Sequence, residues 1–80
     1  MQPDEIKALL ESTLPECTAQ VVSEDGKHIA AVIVSTAFEG LMPVKRQQLV
    51  YAALNEQISS GVIHAFQMKT LTPAENAARS

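Results

Sequence analysis

The spacing of apolar residues predicts a helix near the start of the chain. Pro3 suits the first position of a helix, and Asp4 and Glu5 suit a helix N-terminus, which favours negative charge. Pro15 ends the helix, because the residue before a proline is pushed out of helical geometry. One apolar stripe lies between these signals at helical spacing, and it consists of Ile6, Leu9, Leu10 and Leu14.

From residue 17 to residue 35 the apolar period changes to two, which is typical of strands. Ala19 and Val21 alternate with polar neighbours, as in a half-buried strand. Asp25-Gly26 indicates a tight hairpin turn, because both central positions of such a turn favour a positive φ. The next strand, from His28 to Ser35, is apolar on both faces. This pattern predicts a strand antiparallel to the first and central in the sheet.

A second helix and a third strand follow the loop Phe38-Glu39-Gly40. The helix is predicted over Pro43–Ser59, and Gly61 suits the left-handed cap that ends a helix. The strand is predicted from Val62 to Thr70. Its alternation places Val62, His64, Phe66 and Met68 on one face, and Ile63, Ala65, Gln67 and Lys69 on the other.

The last element is predicted to be a short helix. Thr72-Pro73-Ala74-Glu75 has the pattern of a capping box, and residues 77–80 are expected to fray. The resulting order αββαβα predicts a single α/β (α+β) domain over residues 1–80, with its core in about residues 4–76. Its three-stranded mixed sheet is expected to carry the helices on one face, with strands two and three parallel or nearly neighbouring through a right-handed crossover.

Composition narrows the class of protein. A chain of 80 residues has room for one small core. The longest apolar run, Ile29 to Val34, is far short of the ~20 residues that span a bilayer, and no secretory signal is visible. We therefore expect a cytoplasmic protein without a membrane partner. The net charge of −3 and the sequence pI of 5.2 argue against a constitutive nucleic-acid binder.

The motifs favour no enzyme, and they leave metal binding open. G-x-S-x-G, G-x-x-x-x-G-K-[ST] and G-x-G-x-x-G are all absent. The candidate soft or borderline metal ligands are Cys17, His28 and His64, whose spacing does not suit structural zinc. Each also has a structural explanation: His28 as an exposed turn residue, His64 as a half-buried histidine and Cys17 as a small apolar residue. A [2Fe–2S] cluster needs four ligands, so a partner would have to supply the remainder.

Several short motifs, in order along residues 4–76, resemble the BolA-like proteins. Asp25-Gly26-Lys27-His28 and Arg46-Gln47-Gln48 are similar to the IbaG branch of that family. The motifs that carry the family resemblance are Phe38-Glu39-Gly40-Leu41, Val44-Lys45-Arg46-Gln47, Leu49-Val50-Tyr51, Ile63-His64-Ala65 and Lys69-Thr70-Leu71-Thr72-Pro73.

The resemblance implies a fold similar to class II KH domains and a partner. Family members pair with monothiol glutaredoxins and share a glutathione-ligated [2Fe–2S] cluster. The histidine of the family's His-Ala motif is an iron ligand and falls on His64. The second ligand comes from the loop between the first two strands, where His28 matches most nearly and Cys17 is the less favoured substitute. The G-x-x-G loop of KH domains is missing after Gly40, which argues against KH-type RNA binding.

The implied function is a non-enzymatic adaptor in iron–sulfur trafficking and iron homeostasis, with a role in acid or oxidative stress. The alternative is a DNA-binding transcriptional regulator that uses the second helix, with Lys45, Arg46 and Lys69 contacting phosphates. Two departures from the family pattern concern packing. Met42 weakens the cap of the second helix, and Asn76 replaces an aromatic residue expected to help dock the last helix.

Overall fold

The computed structural model describes residues 2–25, 28–63 and 65–79. It confirms the predicted order of major elements but divides the second predicted helix into two. The elements are α1 (Pro3–Thr13), β1 (Thr18–Ser23), β2 (His28–Val34), a 3₁₀ turn (Thr36–Phe38), α2 (Pro43–Ala53), α3 (Asn55–Ser59), β3 (Ala65–Leu71) and α4 (Pro73–Arg79).

The three strands form one mixed sheet with β2 in the centre. β1 and β2 are antiparallel, from Thr18 opposite Val34 to Ser23 opposite Ile29. β2 and β3 are parallel, with His28 opposite Ala65. Both the central position of β2 and the parallel pairing agree with the sequence prediction. The predicted hairpin turn falls on Gly26, which lies outside the described residues.

One face of the sheet is covered by α1 and α2, and the other is largely open. The covered face contributes buried alternate residues of β1 and β2, and α1 contributes most of its predicted stripe. The open face carries exposed side chains such as Gln20, Val22 and Gln67. The principal buried residues are Ile6, Leu10, Leu14, Ala19, Ile29, Ala31, Ile33, Phe38, Val50, Leu54 and Ile63.

The second predicted helix is in fact two. α2 ends at Ala53, and Leu54 has φ −108° and ψ 14° before α3 begins. The backbone N–H of Leu54 is shared between the carbonyls of Val50 and Tyr51, which tightens the turn. Val50, Leu54 and Ile58 keep one helical spacing across this break, so the sequence gives no sign of it. Met42, at the cap of α2, makes no side-chain cap bond, as expected.

The third strand begins later than predicted. As a result, Val62 and Ile63 exchange their predicted positions relative to the core. Ile63 is buried and Val62 is 43% exposed, whereas the alternation placed Val62 with the core-facing Phe66 and Met68. The N–H of Ile63 still donates to the carbonyl of Gln57 at 3.1 Å, so the chain is leaving α3 at this point. The period of two applies only from Ala65 onward.

The C-terminal capping box is confirmed. The N–H of Thr72 donates to Glu75 Oε1 at 2.9 Å, and the N–H of Glu75 donates to Thr72 Oγ1 at 3.1 Å. Residues 77–79 are helical, where the sequence predicted a frayed end. Among the described residues, no helix has the length and apolarity to cross a membrane.

Candidate functional site

His28 stands at the first position of β2, and Asp25 fixes its orientation. The His28 side chain is 71% exposed. Its backbone N–H donates to Asp25 Oδ1 at 2.9 Å, and its ring Nδ1 lies 2.7 Å from Asp25 Oδ2. With the proton on Nδ1, this bond leaves the Nε2 lone pair for a metal. A carboxylate behind a metal-binding histidine commonly fixes the ring in this way.

The sheet register places His28 and Ala65 side by side at one end of the sheet. His28 is paired with Ala65, the first residue of β3. Ala65 directly follows His64 in the sequence, and His64 itself lies outside the described residues. The structure therefore places the immediate sequence neighbour of the predicted ligand opposite His28.

An open depression with a volume of about 520 Å³ lies beside His28. All three strands contribute to its wall, through residues that include Val22, His28, Ala65 and Gln67. Val22 is 65% exposed, so the rim presents apolar surface next to the imidazole. Such a mixture of an exposed imidazole and an apolar rim suits contact with another protein.

Cys17 lies at the opposite end of the sheet from His28. It precedes Thr18, which pairs with Val34, six residues along β2 from His28. At the usual rise of a strand this separation is about 20 Å. Burial, assisted by the Glu11 carboxylate, raises the pKa of the Cys17 thiol. The register thus separates Cys17 from His28 by nearly the whole length of β2.

The described residues do not provide a complete metal centre. In residues 2–25, 28–63 and 65–79, no three His, Cys, Asp or Glu side chains come together as a metal-binding group. The donor set at His28 fits a site shared with a partner.

Arg46 is engaged in packing within the protein. Its Nη1 donates to Glu75 Oε1 at 2.7 Å, and its Nε donates to the carbonyl of Leu41 at 2.9 Å. The side chain is only 12% exposed. These contacts tie α4 to the start of α2, so α4 is docked through Glu75 although Asn76 replaces the expected aromatic residue. The guanidinium is therefore not available as a simple phosphate contact.

The three cations assigned to DNA do not form one surface. Lys69 is exposed on the open face of the sheet, because its neighbours Phe66 and Met68 point into the core. Lys45 is exposed on α2, which packs on the covered face. A phosphate backbone would need several cations along one face. The geometry therefore gives no support to the DNA-binding alternative.

Ser35 is a structural residue that the sequence patterns did not single out. It is completely buried, and its Oγ donates to the carbonyl of Pro15 at 2.6 Å. The same oxygen accepts the N–H of Ala37 at 3.1 Å. The only sequence signal is a polar residue directly after an apolar strand and before Phe38, a pattern that also fits an exposed loop.

Comparison with known proteins shows the family of this chain. The model of the family described as BolA-like protein matches residues 1–75. This protein belongs to the BolA-like family. It is 40% identical over 75 residues to the acid stress protein IbaG of Escherichia coli (strain K12), covering 94% of this chain and 88% of that protein.

Solved BolA-family structures have the same fold. A BolA homologue from Coxiella burnetii superimposes with a TM-score of 0.84 at 36% identity, covering 96% of this chain and 97% of that one. The BolA domain of SufE1 from Arabidopsis thaliana gives 0.75 at 36% identity, with 91% and 93% covered. The predicted fold and the predicted resemblance are thus both confirmed.

Proposed function

We propose that this BolA-like protein is a non-enzymatic adaptor that pairs with a monothiol glutaredoxin and shares a glutathione-ligated [2Fe–2S] cluster. It would serve iron–sulfur trafficking and iron homeostasis and act in acid or oxidative stress; its similarity to an acid stress protein supports the role in acid stress. His28 and His64 would be the ligands from this chain. The cluster would supply iron sites that exchange ligands between donor and recipient proteins.

The observation that supports this proposal most directly is the arrangement of Asp25 and His28. A carboxylate 2.7 Å from Nδ1 orients an imidazole that is otherwise 71% exposed. Ordering an exposed side chain costs conformational entropy, so a fixed, exposed imidazole is preorganised for a ligand that approaches from outside.

The position of His28 also supports a ligand pair with the His-Ala motif. His28 is paired with Ala65, the second residue of that motif. The apolar rim around Val22 offers contact area to the partner that would complete the iron coordination. Cys17, at the other end of the sheet, would not take part.

The test is a visible absorption and circular dichroism spectrum of the protein mixed anaerobically with a monothiol glutaredoxin, glutathione, iron and sulfide. We expect a spectrum different from that of the glutaredoxin homodimer. His28→Ala and His64→Ala should each alter or abolish it. Cys17→Ser is the matched control, and it should leave the spectrum unchanged.

Two results would contradict the proposal. A mixture that reproduced only the homodimer spectrum would rule out a shared cluster. A spectrum lost in Cys17→Ser but kept in His28→Ala would preserve the shared cluster and overturn the assignment of its second ligand.

A further inference from the structure

Charged side chains form hydrogen bonds with the backbone of both edge strands, at one row of residues across the sheet. Ala19, Ile33 and Thr70 lie side by side across β1, β2 and β3. At the β1 edge, Lys7 Nζ donates to the carbonyl of Ala19 at 2.7 Å, and Glu11 accepts the Ala19 N–H at 3.0 Å.

At the β3 edge, a hydrogen bond from a helical side chain occupies the same row. Arg46 Nη1 donates to the carbonyl of Thr70 at 3.3 Å. Helical side chains thus occupy outward-pointing backbone groups at one end of the sheet, which prevents strand pairing there.

At Phe66 and Met68, the described residues leave the β3 edge open. The carbonyl of Leu71 accepts the N–H of Ser35 at 3.0 Å and so points toward the β2 side, whereas that of Thr70 points away toward Arg46. Because backbone groups alternate along a strand, those of Phe66 and Met68 point outward like those of Thr70. In the part of the chain that the structure describes, no hydrogen bond occupies these outward groups of Phe66 and Met68.

This open stretch is complementary to itself. In an antiparallel pair of β3 strands related by a two-fold axis at Gln67, Phe66 of each copy lies opposite Met68 of the other. The free N–H and C=O groups of these residues then satisfy one another on both sides of the axis. The facing side chains allow a sulfur–aromatic contact.

The same register suits the neighbouring side chains. Gln67 meets Gln67 of the second copy on the open face, where each amide has both a donor and an acceptor. Lys69 lies opposite Ala65, so like charges do not face one another. We propose that the β3 edge of this protein pairs antiparallel with the β3 edge of a second copy, joining the two sheets into one mixed, six-stranded sheet. The proposal does not depend on the shared cluster.

Sedimentation of the full chain over a wide concentration range tests this pairing. The wild-type chain should show a reversible monomer–dimer equilibrium. Gln67→Lys places two ammonium groups opposite each other, and we expect it to raise the dimer dissociation constant by about tenfold or more. Gln20→Lys is the matched control, because Gln20 is also exposed on the open face but belongs to β1. It should leave the dimer unchanged.

A mixing experiment checks the register itself. Gln67→Lys and Gln67→Glu should each associate weakly alone, and an equimolar mixture should recover dimers through the opposite charges. Far-ultraviolet circular dichroism establishes that each variant is folded. A wild-type chain that stays monomeric to millimolar concentration would overturn the proposal. So would a Gln67→Lys dimer as tight as wild type, or a dimer lost only in Gln20→Lys, which would indicate the β1 edge.

Discussion

Arg46 and Glu75 form a bidentate ion pair that joins α2 to α4. Nη1 lies 2.7 Å from Oε1 and Nη2 lies 3.2 Å from Oε2. Glu75 Oε1 also accepts the N–H of Thr72 in the capping box. One carboxylate therefore both starts α4 and fastens it to the rest of the domain.

The Arg46–Glu75 pair should make stability depend on pH in the acid range. The hydrogen bond from Arg46, followed by that from the Thr72 backbone, lowers the pKa of Glu75 from 4.5 to about 2. Since the folded state holds the carboxylate ionised, its stabilising contribution is complete above pH 4.5 and is lost as the pH falls to about 2.

Thermal melts of wild type and Glu75→Gln measure this effect. We expect the wild type to melt a few degrees higher near neutral pH and the difference to vanish toward pH 2. Glu11, whose pKa is also lowered by Lys7, titrates in both proteins and cancels in the difference. A difference that stayed constant down to pH 2 would contradict this assignment.

The Thr72 hydroxyl should contribute measurably to stability. Thr72→Val keeps the shape of a side chain in a residue that is only 7% exposed, but it removes the oxygen that accepts the Glu75 N–H. Loss of an N-terminal cap typically costs about 1 kcal/mol. Urea unfolding should show this loss, while Thr18→Val, on the exposed face of β1, should not be destabilising. Equal stabilities of wild type and Thr72→Val would show that the cap is dispensable.

Ser35→Ala should be more damaging than other serine substitutions. It leaves the carbonyl of Pro15 without its 2.6 Å bond and removes the oxygen that accepts the Ala37 N–H. Leaving a buried polar group unpaired costs about 1–3 kcal/mol. Ser12→Ala is the control: its hydroxyl also donates to a backbone carbonyl, but in an exposed position where water replaces it. Denaturant melts that ranked the two variants equally would contradict this reasoning.

Asp25 should affect the stability of the proposed cluster indirectly, by orienting His28. Asp25→Asn keeps a carbonyl oxygen for the His28 N–H but removes the carboxylate that orients the ring. If the shared cluster exists, its spectrum should keep its shape while the cluster is bound about tenfold more weakly. Glu24→Gln, at an exposed neighbouring residue, should change neither property. A cluster of unchanged stability in Asp25→Asn would show that His28 needs no orienting partner.

Local features of this protein were predictable from the sequence. Pro3 begins α1, the alternation of Ala19 and Val21 marks β1, and the Thr72–Glu75 box begins α4, because each signal involves residues only a few positions apart. The two incorrect predictions, an unbroken second helix and an early start of the third strand, concern one stretch of the chain. The break at Leu54 and the burial of Ile63 depend on how the chain leaves α3 to enter the sheet, and hydrophobic periodicity carries no information about that path.

The sequence supplied only one of the two proposed ligands without an alternative. The motifs indicated His64 and left His28 and Cys17 as alternatives for the second ligand. The choice depends on strand register, since the two residues differ by nearly the whole length of β2. Arg46 is a second case in which the sequence was not enough. A cation near the start of a helix suggests a phosphate contact, and only the structure shows that Glu75 is its partner.

The sequence by itself determined the order of the main elements, the family and the candidate ligands, because these depend on short-range periodicity and on ordered motifs. Only the tertiary structure decided which distant groups meet. Arg46 reaches Glu75 across 29 residues, and Ser35 reaches Pro15 across 20. Such contacts arise from sheet register and helix docking, where the free energy comes from burying a shared core, and that core fixes neighbours that no local pattern specifies.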